Sequence, residues 1–168
     1  LKNYNKRKIL GFIDSDRAFQ TREIASVIRE FERKIRIDNV DALYTSRIAL
    51  AGSKIERRTI RHLIGRIIST FIQRKSPITI YDTQCGFKLF QINRDLQNAL
   101  IKPFATRWFF DLEITLRMIE LFGRSYKICE LPLEEWRDVR GSKIRKFEFI
   151  RIAREIIWIR IQIIRKIT

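Results

Sequence analysis

The 168-residue sequence is poor in the residues that build most metal and disulfide sites, since it contains two cysteines and one histidine. Cys85 and Cys129 lie far apart and lack the spacing of metal ligands, which predicts two free thiols in a reduced compartment. His62 has no second ligand near it in the sequence, so we expect a solvated side chain. These patterns argue against a zinc site and against a disulfide framework.

Long apolar runs and acidic residues are also scarce. No uninterrupted apolar stretch approaches the roughly 20 residues that cross a bilayer, and no N-terminal segment resembles a signal peptide. The 19 acidic residues stand against 35 Lys and Arg, which gives a formal charge of +16. Because such an excess attracts polyanions, the charge predicts a polyanionic partner, and by itself it does not distinguish a nucleic acid, an anionic membrane surface and a phosphorylated substrate. Leu1 in place of an initiator methionine suggests a piece of a longer protein.

Hydrophobic periodicity predicts one α/β domain. We expect strands at residues 8–13 and 40–46, and amphipathic helices over 21–36 and 56–74. Thr21 is the expected N-cap of the first helix. Further helices are predicted at 93–101 and 109–122, the second closed by Gly123, and the segment 125–136 reads as one or two strands.

The segment 147–167 is predicted to form a helix that is apolar over most of its circumference. Its polar residues fall within an arc of about 120 degrees at the helical period: Glu148, Arg151, Arg154, Glu155, Gln162, Arg165 and Lys166. Arg160 lies in the middle of the apolar face. A narrow cationic strip of this kind favours the interface of an anionic membrane, and packing on the sheet or on a partner subunit is the alternative.

Two aspartates, Asp14 and Asp16, follow the first predicted strand directly. Open α/β sheets bind ligands beyond the carboxyl ends of their strands. Two carboxylates so close together repel each other and need a cation, and Mg²⁺ or Mn²⁺ bound there would neutralise a diphosphate. Considered without the rest of the chain, the pair is more typical of a turn or an N-cap than of a metal site.

Four further segments occur in a fixed order after IDSD at 13–16: TSR at 45–47, DTQCGFKLF at 82–90, WFFDLEI at 108–114, and ELPLEEW with GSK within 130–143. This series resembles the family 2, GT-A fold glycosyltransferases, in the branch that transfers a sugar to polyprenyl or dolichyl phosphate. Within it, DTQCGFKLF followed by FFDLE is more similar to the dolichyl-phosphate glucosyltransferases and their bacterial relatives than to the mannosyltransferases. The resemblance implies an α/β fold that is the C-terminal portion of a GT-A (Rossmann-like) domain.

The same resemblance divides the chain into a truncated catalytic domain, residues 1–145, and an amphipathic membrane-surface helix, residues 146–168. Family members carry a nucleotide-binding segment before the D-x-D motif, and this sequence shows none. We therefore expect the 168 residues alone to be inactive.

The resemblance also implies roles for individual residues. Asp14 and Asp16 would bind the metal and, through it, the donor diphosphate. The further donor contacts would be Gln84, Gly86 and Lys143, with a lipid head group as the alternative ligand of Lys143. Arg47 and Arg61 match positions that hold the lipid phosphate, and guanidinium groups suit phosphate oxygens.

Asp82 and Asp111 are the candidate catalytic residues. Asp82 lies in the loop that borders the sugar and acceptor pocket in the family, and Asp111, like Glu113, lies where related enzymes keep an acceptor-side carboxylate. A phosphate monoester is already largely ionised at neutral pH, so we expect Asp111 to position the acceptor more than to remove a proton. Asp111 also suits the N-cap of the following helix.

The function implied is inverting, metal-dependent transfer of a sugar, with glucose favoured, from a nucleotide-sugar to polyprenyl or dolichyl phosphate. The enzyme would dock peripherally on the cytoplasmic face of a membrane through residues 147–167. The alternatives are a basic nucleic-acid-binding module and an inactive remnant of such a transferase. No nucleic acid is expected as partner, because the arginines share helix faces with acids and no recognised RNA or DNA motif is present. The sequence leaves a homo-oligomer open.

Overall fold

The computed structural model describes residues 8–56, 59–74, 80–137 and 146–165. The strands of this part are β1 (Ile9–Ile13), β2 (Ala42–Ser46), β3 (Lys54–Glu56), β4 (Phe87–Gln91), β5 (Ile128–Pro132) and β6 (Glu135–Arg137). Its helices are α1 (Thr21–Asp38), α2 (Thr59–Gln73), α3 (Arg94–Ile101), α4 (Phe110–Phe122) and α5 (Lys146–Arg165).

Within the described ranges, the main sheet has four strands in the order β1-β4-β2-β5. Strand β4 runs antiparallel to β1 and β2, whereas β2 and β5 are parallel and pair from Ala42 with Ile128 to Ser46 with Pro132. Strands β3 and β6 form a second, two-stranded parallel sheet. The mixed α/β class predicted from the sequence is confirmed, and the topology is consistent with part of a Rossmann-like GT-A fold.

Strand β2 lies in the interior, and all five of its residues are buried. Because side chains alternate along a strand, Ala42 and Tyr44 join one core cluster with residues of α3, α4 and α5, whereas Leu43 joins a second cluster with residues of α1. The sheet is therefore covered by helices on both faces.

The helix ends show where local sequence signals hold. Helix α4 ends at Gly123, whose φ of 58° is left-handed, as the sequence predicts. The prediction of Thr21 as the N-cap of α1 is wrong, because the N-cap is Gln20 and its side chain makes no capping hydrogen bond. Asn93 caps α3 through its side-chain oxygen, which accepts the Leu96 N–H at 2.7 Å.

Helix α5 packs against α2 and α4. Ile152, Ile159 and Ile163 are buried in the same cluster as the sheet residues. Glu155, predicted on the polar strip, is instead buried, because its carboxylate accepts the backbone N–H groups of Trp108 and Phe109 at 2.7 and 3.4 Å. The division at residue 145 stays a prediction.

Arg160, which the sequence places on the apolar face of α5, has a defined partner in the fold. Its guanidinium donates to the backbone oxygens of Arg74 and Ile72, at the carboxyl-terminal end of α2. The last carbonyls of a helix have no partner inside the helix, so this arginine satisfies two of them. None of the helices described is both long and apolar enough to cross a membrane.

Candidate functional site

Three of the sequence segments meet at one edge of the main sheet. Because β4 is antiparallel to β1 and β2, its first residue lies beside their last ones, and Ile13 pairs with Phe87. The Asp14 N–H donates to the Gly86 carbonyl at 2.8 Å, and the Thr45 hydroxyl donates to the Phe87 carbonyl at 2.7 Å. The IDSD, TSR and DTQCGFK segments thus surround the same point.

Arg47 and Asp82 form a buried ion pair at this edge. The Arg47 Nε lies 2.7 Å from Asp82 Oδ2, its Nη2 lies 2.8 Å from Oδ1, and its backbone N–H donates to Oδ2 at 3.1 Å. The guanidinium also lies 5.1 Å from the centre of the Trp136 ring, in the ELPLEEW segment. The predicted acceptor-phosphate residue is therefore held rigidly by the predicted catalytic one.

The loop that carries Asp82 is fixed by backbone contacts on both sides. The carboxylate of Glu130, on β5, accepts the N–H groups of Tyr81 and Asp82 at 2.7 and 2.8 Å. On the α2 side, Arg66 donates to the Tyr81 carbonyl at 2.9 Å and lies over its ring. The Gln84 N–H donates to Asp82 Oδ1 at 3.2 Å. Sequence analysis missed Glu130 and Arg66, whose partners are distant along the chain.

The carboxylate of Asp14 lies near both acidic and basic side chains. Partial burial raises its pKa and the charge of Asp16 raises it further, whereas Lys88 and Arg47 oppose the shift. A Cβ atom at Gly86 would lie 1.8 Å from Asp14 Oδ2, so only glycine leaves room for this carboxylate. The backbone of Gly86 thus cradles Asp14.

Asp16 begins a tight turn. One oxygen of its carboxylate accepts the Ala18 N–H at 3.0 Å, and Arg17 between them has a left-handed φ of 64°. Asp16 therefore forms a turn, which is one of the roles that the sequence left open. Its side chain remains exposed beside Asp14.

The two aspartates suit a divalent cation that completes its coordination elsewhere. Among the described residues there is no group of three or more His, Cys, Asp or Glu that could hold a metal ion without other ligands. Mg²⁺ is typically bound by one or two carboxylates together with waters and substrate phosphates. Asp14 and Asp16 fit that donor set, with Gly86 holding the first of them in place.

Lys88 is a residue that sequence analysis missed. It is completely buried on β4, and its ammonium contacts the Asp111 carboxylate and the Thr83 carbonyl. Asp111 lies in the first turn of α4, whose N-cap is Phe109, so the N-cap alternative for Asp111 is wrong. A lysine inside the buried run FKLF is the signal that could have identified it, since lysine is almost never buried without a partner.

Glu113, the second acid of the FFDLE segment, has a structural position. Its buried carboxylate accepts the N–H groups of Ala105 and Thr106, at 3.1 and 2.9 Å, and pairs with Arg117 at 2.6 Å. Arg117 in turn donates to the carbonyls of Lys102 and Pro103 at 2.8 and 2.6 Å. These two residues shape the segment that leads into α4.

The remaining predicted residues are placed only in part. Arg61 and His62 lie on α2, but their side chains are outside the described part of the structure, and so is the whole of Lys143. Cys85 and Cys129 are both free thiols, as predicted. The structure thus brings Asp14, Arg47, Asp82 and Gly86 together, whereas the roles of all predicted site residues stay predictions.

Comparison with known proteins confirms the resemblance seen in the sequence. No family model matches the chain. The chain is similar to dolichyl-phosphate beta-glucosyltransferases of Trichomonas vaginalis, Saccharomyces cerevisiae and Dictyostelium discoideum, with 29%, 29% and 28% identity over 89%, 89% and 93% of its length. It spans 45%, 46% and 47% of the length of these relatives. The comparisons do not favour the nucleic-acid-binding alternative.

Proposed function

We propose that this chain is part of a glycosyltransferase that moves glucose from a nucleotide-sugar to dolichyl or polyprenyl phosphate. The observation that carries the proposal is the similarity over about nine-tenths of the chain to three dolichyl-phosphate beta-glucosyltransferases. The sheet edge supports it, because acids suited to a metal and a rigid arginine suited to a phosphate lie side by side there.

The donor side of the proposed site is the D-x-D turn. Asp14 and Asp16 would hold Mg²⁺ or Mn²⁺, which when bound neutralises the charge that develops on the departing diphosphate. Gly86 keeps the Asp14 carboxylate in place by leaving room for it. Gln84 and Lys143 are the further donor contacts that the resemblance implies.

The acceptor side is built on Arg47. Asp82 orients its guanidinium, and Arg61 from α2 would supply a second one, so that two cations from different elements fix the lipid phosphate. An oxygen of that phosphate then attacks the anomeric carbon in line with the leaving diphosphate, which inverts the configuration. The attacking oxygen is already ionised at neutral pH, so no protein base is required.

Membrane attachment is proposed through α5. Its outward surface carries isoleucines that are 41–64% exposed, together with exposed arginines: Ile150, Arg151, Arg154, Ile157, Ile161, Ile164 and Arg165. Such a mixture favours the interface of an anionic bilayer, where apolar side chains enter the lipid and arginines pair with head groups. We place the enzyme peripherally on the cytoplasmic face of that membrane.

The decisive experiment expresses the complete open reading frame that encodes these residues and assays transfer to dolichyl phosphate from UDP-glucose, other UDP-sugars and GDP-mannose. We expect transfer that requires Mn²⁺ or Mg²⁺ and prefers UDP-glucose, and we expect the 168 residues alone to be inactive. Transfer from none of these donors would leave the inactive remnant as the better description.

The metal assignment is tested in the same assay by Asp16→Asn, which should abolish transfer or raise the metal concentration required. Asp38→Asn is the matched control, because Asp38 is a surface residue of α1 paired with Lys34. Full activity of the Asp16→Asn enzyme at low metal concentration would show that Asp16 does not bind the metal.

A further inference from the structure

The ammonium of Lys88 lies at a junction of four parts of the fold. Besides the carboxylate of Asp111, it contacts the Thr83 carbonyl at 3.0 Å and lies 4.7 Å and 5.7 Å from the ring centres of Tyr44 and Phe12. An ammonium with 0% exposure is costly unless it is paired and hydrogen-bonded. Lys88 is therefore a buried cation that is stabilised by the protein groups around it.

Both oxygens of the Asp111 carboxylate contact groups of the protein. One of its oxygens contacts Lys88, and the other accepts the Leu112 N–H at 2.8 Å. A general base needs an oxygen within reach of the proton that it removes. Because Asp111 is 7% exposed and each of its oxygens already contacts a protein group, its main contact in this structure is the ion pair with Lys88.

Thr83, whose carbonyl accepts a hydrogen bond from the Lys88 ammonium, belongs to the loop 80–86 at the candidate site. On one side of it, Asp82 holds Arg47, and on the other, Gly86 cradles Asp14. We infer that Lys88 is a positioning residue that fastens the loop 80–86 to the first turn of α4, with Asp111 as its fixed counter-ion. The consequence for substrates rests on the proposed function, because it assumes that Arg47 binds the acceptor phosphate.

The two charges act as a unit in this arrangement. Removing Lys88 alone leaves the Asp111 carboxylate buried without a cation, and removing Asp111 alone leaves a buried ammonium. Removing both together avoids either penalty, so the double variant should be less impaired than the sum of the single variants.

The test compares Lys88→Met, Lys88→Arg, Asp111→Asn and the double variant Lys88→Met with Asp111→Asn in the complete protein. We expect Lys88→Met to raise the acceptor KM by roughly tenfold or more, because the loop 80–86 holds Asp82, which orients Arg47. The donor KM should rise as well, because the same loop carries Gln84 and Gly86. Lys88→Arg should retain part of the lost acceptor affinity. The double variant should transfer at least about threefold faster than Asp111→Asn at the same acceptor concentration.

Lys34→Met is the matched control, since Lys34 pairs with Asp38 at the surface of α1, and both KM values should stay unchanged. A purely structural role for Lys88 would lower kcat with both KM values unchanged, and this result would overturn the inference. A double variant no more active than Asp111→Asn would also overturn it, because Asp111 would then contact the substrate itself.

A measurement independent of transfer separates this inference from the proposed function. The wild-type protein in the same assay decides whether transfer occurs at all. Amide hydrogen exchange of the peptides that cover residues 80–86 decides whether Lys88 holds the loop. Faster exchange there in Lys88→Met, with α1 unchanged, supports the inference, and unchanged exchange in the loop overturns it.

Discussion

The guanidinium of Arg47 donates two parallel hydrogen bonds, of 2.7 and 2.8 Å, to the carboxylate of Asp82. Burial lowers the pKa of Arg47, but the hydrogen bond and charge of Asp82 outweigh it, so the pKa is raised overall and the group stays charged. The pair joins the end of β2 to the loop before β4. The guanidinium of Arg47 is therefore oriented before a phosphate binds. Less side-chain conformational entropy is then lost when binding occurs.

Arg47→Ala should raise the acceptor KM more than the donor KM, because the phosphate loses an oriented guanidinium. It should also lower the free energy of unfolding by about 3 kcal/mol, since the buried Asp82 carboxylate loses the charge and the two hydrogen bonds of the guanidinium. Steady-state kinetics and urea unfolding measure the two effects. Arg33→Ala is the matched control, because Arg33 makes a similar two-bond pair with Glu30 at the surface. A larger effect on the donor KM would move Arg47 to the donor site.

Gly86→Ala should raise the metal concentration needed for half-maximal transfer. The new methyl group would displace the Asp14 carboxylate, which it would otherwise approach to 1.8 Å. Gly52→Ala separates this effect from simple loss of stability, because Gly52 has a positive φ of 89° and, among the residues that the structure describes, no neighbour that the methyl group would meet. That control should unfold at a lower temperature with its metal requirement unchanged. An unaltered metal requirement in Gly86→Ala would contradict the cradle described for Asp14.

The longer elements could be predicted from the sequence because their signals are local. Helices α3 and α4 begin and end within a residue of the predicted bounds, since periodic apolar residues and Gly123 mark them. Strand β3 was missed, because its three residues carry no periodic pattern and pair with β6 about 80 residues later, as in Lys54 with Glu135. Strand pairing between residues so far apart cannot be recognised from the residues on either side of one strand.

The candidate site shows the same limit. Asp14, Arg47 and Asp82 could be singled out because motifs carry them, but their mutual contacts could not, since strand order decides which loops meet. Glu130 looks like an ordinary charged residue until its partners, 48 and 49 residues earlier, are known. Glu155 was placed on the polar strip because helical periodicity does not show that backbone N–H groups will approach it.

Iodoacetamide should leave Cys85 unmodified in the native protein at pH 8. Burial raises the pKa of this thiol to about 11 and the charge of Asp82 adds to the shift, although Arg47 and the Thr45 hydroxyl oppose it. The reactive thiolate is then about one part in a thousand at pH 8, within a fully buried side chain. Peptide mapping by mass spectrometry should find the modification only after unfolding in urea. Rapid alkylation of the native protein would contradict this account of Cys85.

Glu155→Ala should lower the free energy of unfolding by about 1–3 kcal/mol, because the N–H groups of Trp108 and Phe109 lose their acceptor. Glu155→Gln keeps an acceptor oxygen and should cost less. Urea unfolding compares these variants with Glu32→Ala, an exposed glutamate of α1 for which we expect a change within about 0.5 kcal/mol. Equal stability of Glu155→Ala and Glu32→Ala would show that the Glu155 carboxylate does not fasten α5 to α4.

The double variant Ile157→Ser with Ile161→Ser should reduce binding of the complete protein to vesicles that contain phosphatidylserine. Both side chains are more than 40% exposed on α5, and each would lose roughly 1–2 kcal/mol of apolar transfer into the interface. Flotation assays should show at least a tenfold weaker partition, and the wild-type protein should bind neutral vesicles less well and lose binding in high salt. Ile37→Ser is the control, because Ile37 is 66% exposed on α1 and lies away from α5 in the sequence. Undiminished flotation of the double variant would show that α5 does not contact the membrane. Packing of its exposed isoleucines on a partner subunit would then be the better explanation.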